Sequence, residues 1–124
     1  LLPMDPIKDV IFFQKDILNI DEIEEIFLLK SKFDLVISDL APNLTGIRAV
    51  DEENIFDLNI YTLKAALNYL SKSNGSFIIK TFQNSLLKKL RTEMEKSFHL
   101  VQTYKPAASK RKSAEIYLYG ERPL

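Results

Sequence analysis

The sequence predicts an α/β domain, and three observations lead there. The apolar run Leu35-Val36-Ile37 ends at Ser38-Asp39, and the chain then breaks at Ala41-Pro42-Asn43. Val and Ile favour a pleated, buried backbone, and such a run bounded by turn residues fits a parallel strand covered on both faces. A second run, Ser76–Phe82 (SFIIKTF), has the same character, with Lys80 directly after Phe77-Ile78-Ile79. Segments of helical spacing alternate with these runs, the pattern of an α/β sheet. At 124 residues the chain forms one domain at most.

Taken in order, residues 1–7 carry two prolines and read as a loop, and residues 10–13 (VIFF) as a short strand. Asp21 can cap a helix over about 22–30, with Glu24 in capping-box position and Ile23, Ile26 and Phe27 on one face. After the strand at 35–38 comes a loop through Gly46. A longer helix over about 51–71 follows, with Ile55, Leu58, Leu63, Ala66, Leu67 and Leu70 as its apolar stripe. Ser73-Asn74-Gly75 is expected to stop it, Gly75 taking a left-handed position. Beyond SFIIKTF, residues 85–97 read as a helix with Lys88, Lys89 and Arg91 on a basic face. A strand over 100–104, the basic loop KPAASKRKS over 105–113 and a last strand over 114–119 complete the chain. Phe82 and Tyr104 are expected in the core, as aromatics usually are. His99, between Phe98 and Leu100, is expected to pack rather than to ligate.

Composition excludes several classes. There are no cysteines, hence no disulfides, thiolate zinc sites or cysteine nucleophiles. There is no apolar run of membrane-spanning length and no basic-then-apolar leader at the start. The chain begins Leu-Leu-Pro without an initiator Met and reads as a fragment or processed product. Net charge is zero but unevenly placed. Residues 1–57 hold 13 acidic and 5 basic side chains, a net of −8, and residues 58–124 hold 4 and 12, a net of +8. A basic face for a polyanion is one reading of that asymmetry; ordinary solvated helix faces are the other.

Asp39 leaves one strand, Lys80 lies near the end of another and Glu115 opens a third. In open α/β sheets ligands bind outside the carboxyl ends of the strands, although an Asp in that position also simply caps turns. A charge beside a buried strand is unfavourable unless paired, and converging charges can pair with one another. Such groups cluster at functional sites, and structural ion pairs produce the same pattern.

The residues themselves say more. SDLAPNLTG (38–46), IIKTF (78–82) and the basic loop running into SAEIYL (113–118) resemble the FtsJ/RlmE family of S-adenosylmethionine-dependent RNA ribose 2′-O-methyltransferases. LLPMDPI (1–7) and FQKDI (13–17) are similar to that family's ribosomal branch, so the resemblance covers essentially all 124 residues. It implies a Rossmann-like sheet of strand order 3-2-1-4-5-7-6, with 10–13 as the third strand and 35–38 as the fourth. The first two strands and the glycine-rich cofactor loop would be absent, and residues 1–124 would form the C-terminal part of a single methyltransferase domain. The sheet would then have an exposed central edge.

The resemblance also implies roles. Asp39, Lys80 and Glu115 match three members of a Lys-Asp-Lys-Glu catalytic tetrad, the first Lys falling in the absent segment. Leu2, Pro3, Met4, Asp16, Ile17 and Asp39 match positions that hold S-adenosylmethionine. No metal is implied, because the sulfonium carbon is already activated. Lys80 would act as general base or electrostatic anchor at the 2′-hydroxyl, oriented by Glu115 and Asp39. Lys88, Lys89, Arg91, Lys105, Lys110, Arg111 and Lys112 would bind RNA phosphate. Lys15 replaces a common Gly and Asn84-Ser85 a usual Gly-Glu, departures that bear on loop shape. The implied substrate is a uridine ribose of large-subunit rRNA, free or in the assembled subunit. A monomer is expected, with no membrane partner, in the cytoplasm, or alternatively in a mitochondrion or other organelle.

Two other functions compete with this one. A methyltransferase-like RNA-binding or ribosome-assembly module without turnover has no need of all three charges. An unrelated nucleotide-binding domain needs a phosphate loop such as GxxxxGK[ST], which the sequence lacks.

Overall fold

A computed structural model describes residues 31–39, 43–105 and 115–124. The strand and helix expected over 10–13 and 22–30 lie outside the described residues. Strand β1 (Leu35–Ser38) leads to helix α1 (Arg48–Tyr69) and strand β2 (Ser76–Phe82); helix α2 (Leu87–Glu95) and strands β3 (Phe98–Tyr104) and β4 (Glu115–Pro123) follow. The sheet order is β1-β2-β4-β3. β1 and β2 are parallel, while β4 runs antiparallel to both of its neighbours. This is the 4-5-7-6 portion of the expected order.

Alternation along β2 and β4 creates two unlike faces. Phe77, Ile79, Thr81, Ile116, Leu118 and Gly120 are buried, whereas Ile78, Lys80, Phe82, Glu115, Tyr117 and Tyr119 are half-buried. α1 and α2 cover the first face: Leu63 and Ala66 from α1, Leu70 directly after it, and Leu90 and Met94 from α2 join Phe77, Ile79, Phe98 and Leu118 in one core. The Phe77 and Phe98 rings stack with centroids 6.2 Å apart. One buried polar contact sets α1 against the sheet: Asn59 Nδ2 donates to Thr81 Oγ1 at 2.7 Å.

Several expectations need correction. Among the described residues β1 is covered on one face only: Leu35 is 47% and Ile37 65% exposed, while Val36 packs against the core. Among the described residues only one face of the sheet carries helices. α1 starts and ends earlier than expected, and half of its predicted stripe (Leu63, Ala66, Leu70) is fully buried; Ile55, Leu58 and Leu67 are half-buried. Polar Asn59 and Thr62 join the buried face instead. Gly75 does not take a left-handed φ. It is needed for space, because a Cβ there would meet the Ser71 carbonyl oxygen at 2.5 Å. Tyr104 is not core but 63% exposed, His99 is exposed, and Phe82 is only half-buried. α2 is shorter than expected, β3 begins two residues earlier, and β4 runs on to Pro123. Arg122 takes a φ of 57°, which resets the alternation so that Pro123 is buried.

Gly120 permits the Phe98 ring to lie flat on β4. A Cβ at that position would come within 2.6–2.8 Å of three ring atoms, and the ring is also stacked with Phe77. Overpacking of this kind typically costs about 1–3 kcal/mol. Gly120→Ala should therefore lower the urea unfolding midpoint by a corresponding amount without changing its slope.

Candidate active site

The register of the sheet brings three charges together. Ser38 pairs with Ile79, so Asp39, the next residue, lies level with Lys80. Lys80 pairs with Tyr117 and Phe82 with Glu115 across the antiparallel β2–β4 ladder. Glu115 is therefore the diagonal neighbour of Lys80 on the same face, within reach of a long side chain. The Lys80 ammonium forms an ion pair with Asp39 Oδ1 and lies 3.9 Å from Glu115 Oε1. The Lys80 side chain is 20% exposed, Glu115 36% and Asp39 66%. All three predicted catalytic residues thus meet at one point of the sheet's carboxyl edge.

The surroundings of Lys80 favour its charged form. The hydrogen bond to Asp39 is the largest influence and raises its pKa above the ordinary 10.5. Partial burial opposes this, and the charges of Asp39, Glu115 and Tyr117 add to the rise. Burial destabilises a lone ammonium, and adjacent carboxylates restore it. Here the carboxylates win.

Two loops at this edge are tied to the first turn of α1 by adjacent carboxylates, a feature the sequence reading missed. Ile47, the residue before α1, provides no side-chain cap. Asp51 reaches back instead, accepting from the Thr45 amide at 2.7 Å, the Thr45 hydroxyl at 2.8 Å and the Gly46 amide at 3.1 Å. Those bonds, led by the Thr45 amide, lower the Asp51 pKa below the usual carboxylate value. Gly46 turns there with φ +85°. Glu52 accepts from the Ser85 hydroxyl at 2.6 Å and contacts Arg48 Nε at 3.4 Å. Its pKa is lowered, chiefly by Ser85. Asn84 Oδ1 accepts from the Leu86 amide at 2.9 Å, holding the entry to α2. The residues at 84 and 85, which depart from the family pattern, thus have local structural roles. The acidic Asp51-Glu52 pair near the expected helix start is the signal the sequence offers for these ties.

The predicted RNA-binding residues divide. Lys88 and Lys89 are exposed on α2, with Lys89 Nζ 4.9 Å from the centre of the Phe56 ring. Arg91 is half-buried; its guanidinium donates to Thr103 Oγ1 and, at 3.1 Å, to the Val101 carbonyl, bracing α2 against β3. Lys105 Nζ donates to the Glu115 carbonyl oxygen at 3.4 Å. Lys110, Arg111 and Lys112 lie outside the described residues, as do Leu2, Pro3, Met4, Asp16 and Ile17. No cluster of metal-ligating side chains occurs among the described residues, and no helix among them is long and apolar enough to cross a membrane.

The FtsJ-like methyltransferase family model matches residues 1–122. The chain belongs to that family. It is 40% identical over 124 residues to the ribosomal RNA large subunit methyltransferase E of Buchnera aphidicola, covering 97% of this chain and 59% of that protein. To the protein of the same name from Acinetobacter baumannii it is 37% identical over 126 residues, covering 98% and 56%. It therefore spans little more than half the length of these curated relatives. A crystal structure of a Plasmodium falciparum protein described as a ribosomal RNA methyltransferase superposes with a TM-score of 0.77 at 30% identity. That match covers 99% of this chain and 69% of the other.

The raised Lys80 pKa has a consequence for stability. A folded-state pKa above the unfolded value means that the ion pair contributes fully below about 10.4 and is lost as pH rises through the folded value. Asp39 is largely exposed, so the contribution is in the surface-pair range, about 0.2–1 kcal/mol. Urea midpoints of the unaltered chain and of Lys80→Met should be separated at pH 8 and converge as pH rises beyond 10.5.

Proposed function

We propose that the protein carrying these residues transfers a methyl group from S-adenosylmethionine to a ribose 2′-hydroxyl of large-subunit ribosomal RNA. The family branch points to a uridine, and residues 1–124 are the C-terminal part of its single catalytic domain. The observation that carries this reading is the meeting of Asp39, Lys80 and Glu115 at one point of the sheet edge. It is supported by relatives named for methylating large-subunit ribosomal RNA. A module that only binds RNA gains nothing from an ammonium held between two carboxylates. The RNA is recognised free or within the assembled large subunit, by a monomer acting in the cytoplasm.

A ribose hydroxyl is a poor nucleophile until its proton is removed or its developing charge is stabilised. A Lys80 that keeps its proton has no lone pair with which to act as base. It donates to the 2′-oxygen and stabilises the negative charge that grows there, the second of the two roles open to it. Asp39 and Glu115 hold the ammonium in place and are the neighbouring acceptors for the hydroxyl proton. Alignment of nucleophile and methyl carbon accounts for much of the remaining barrier reduction.

The described part of the site fits the cofactor. S-adenosylmethionine, when bound, supplies a methyl group already activated by its sulfonium. The Asp39 carboxylate is two-thirds exposed even with Lys80 paired to it. It retains acceptor capacity for a second cation at the edge where α/β sheets take their ligands. Asp39 would hold the cofactor together with Leu2, Pro3, Met4, Asp16 and Ile17.

The test joins residues 1–124 behind the portion of the Buchnera relative that precedes its matching region. Labelled methyl transfer to unmethylated large-subunit RNA is then measured. Transfer to a 2′-oxygen is expected, and Lys80→Ala should reduce turnover by about 100-fold or more while cofactor affinity stays within about twofold. Near-normal turnover in that variant removes Lys80 from the mechanism. Residues 1–124 alone are expected to show no micromolar cofactor binding by calorimetry.

A further inference from the structure

Tyr104 was expected in the core and instead stands at the end of β3, 63% exposed. Its position in the sheet gives that exposure a meaning. Tyr104 pairs with Tyr117 across the β3–β4 ladder, and Tyr117 pairs with Lys80 across β4–β2. Asp39, Lys80, Tyr117 and Tyr104 therefore form one row across the four strands, on the face that carries no helix among the described residues. Lys80 and Tyr104 are two strand spacings apart, roughly 10 Å. That span suits a ribose hydroxyl and the splayed base of an adjoining nucleotide.

The surface around Tyr104 suits a base. It borders an open groove of about 970 Å³ that Ile78, Gln102, Tyr117, Tyr119 and Arg91 also line. The apolar and aromatic floor offers stacking area, and the exposed Gln102 amide offers both a donor and an acceptor. The Arg91 guanidinium lines the groove and brings positive charge to it. A polyanion with planar bases is the ligand whose chemistry matches both properties.

The geometry points to Tyr104 as a stacking platform for an unpaired nucleobase of the RNA strand whose ribose lies against Lys80. This inference rests on the RNA reading given above and adds to it a specific base contact. Stacking on an aromatic side chain is tolerant of base identity. The platform would therefore orient the strand, while shape and splayed loops select the target.

The test uses the full chain and a short single-stranded RNA carrying one 2-aminopurine, whose fluorescence falls when it stacks. The unaltered chain should bind at low salt and quench the probe at one position along the strand. Tyr104→Phe, which retains the ring, should do the same. Tyr104→Ala should lose the quench and weaken binding roughly fivefold or more, and an abasic RNA should no longer distinguish the two proteins. If Tyr104→Ala binds and quenches like the unaltered chain, the stacking platform is refuted and the RNA reading stands. If the unaltered chain binds no RNA at low salt, the RNA reading fails and the inference fails with it.

Discussion

A lysine ammonium set into a β-sheet is unfavourable unless the sheet itself supplies its counter-charges. Here it does. Lys80 is four-fifths covered, and its two carboxylates come from different neighbours: Asp39 just beyond β1 and Glu115 at the start of β4. Neither would reach it if either strand slipped by one residue, since a slip of one moves every side chain to the opposite face. The site is therefore a readout of register, and whatever fixes β1 and β4 against β2 also keeps the carboxylates beside Lys80.

The covered face supplies that registration. Phe77, Ile79 and Leu118 lock β2 to β4 under α1 and α2, and the Asn59–Thr81 bond ties α1 to the residue directly after Lys80. Leaving either of those buried groups unpaired would cost about 1–3 kcal/mol, so the bond resists sliding of helix over strand. Asp51 and Glu52 extend the control outward, holding the loops that follow β1 and β2 to the same turn of α1. A single helix end thus organises two loops at the edge where the charges meet.

Much of this was legible in the sequence. The limits of β1 and β2 follow from apolar runs between turn residues, and Asp39, Lys80 and Glu115 stand out as charges attached to such runs. Strand direction was not legible. β4 is antiparallel, so its start, rather than its end, reaches the carboxyl edge of β1 and β2. Single-strand patterning carries no sign for direction. Exposure differs from expectation where a residue type argues for burial and the tertiary setting leaves it open: Leu35 and Ile37 lie on the face that carries no helix among the described residues, and Tyr104 on the outer strand. Gly75 was assigned to a left-handed turn when its requirement is clearance from the Ser71 carbonyl, a contact that exists only once the chain has folded back. The role of Asp51 was hidden for a similar reason, because its partners precede the helix.

The central claim is that Lys80 acts as a fixed cation and not as a proton acceptor. The most direct measurement is an NMR titration of the Lys80 side chain, labelled with ¹³C at Cε, in the unaltered chain and in Asp39→Asn. The account predicts titration above the ordinary lysine value of 10.5 and a fall toward that value when the Asp39 charge is removed. A midpoint near neutral pH would contradict it and return Lys80 to the role of general base, and one indifferent to Asp39 would contradict the ion pair as the source of the charge.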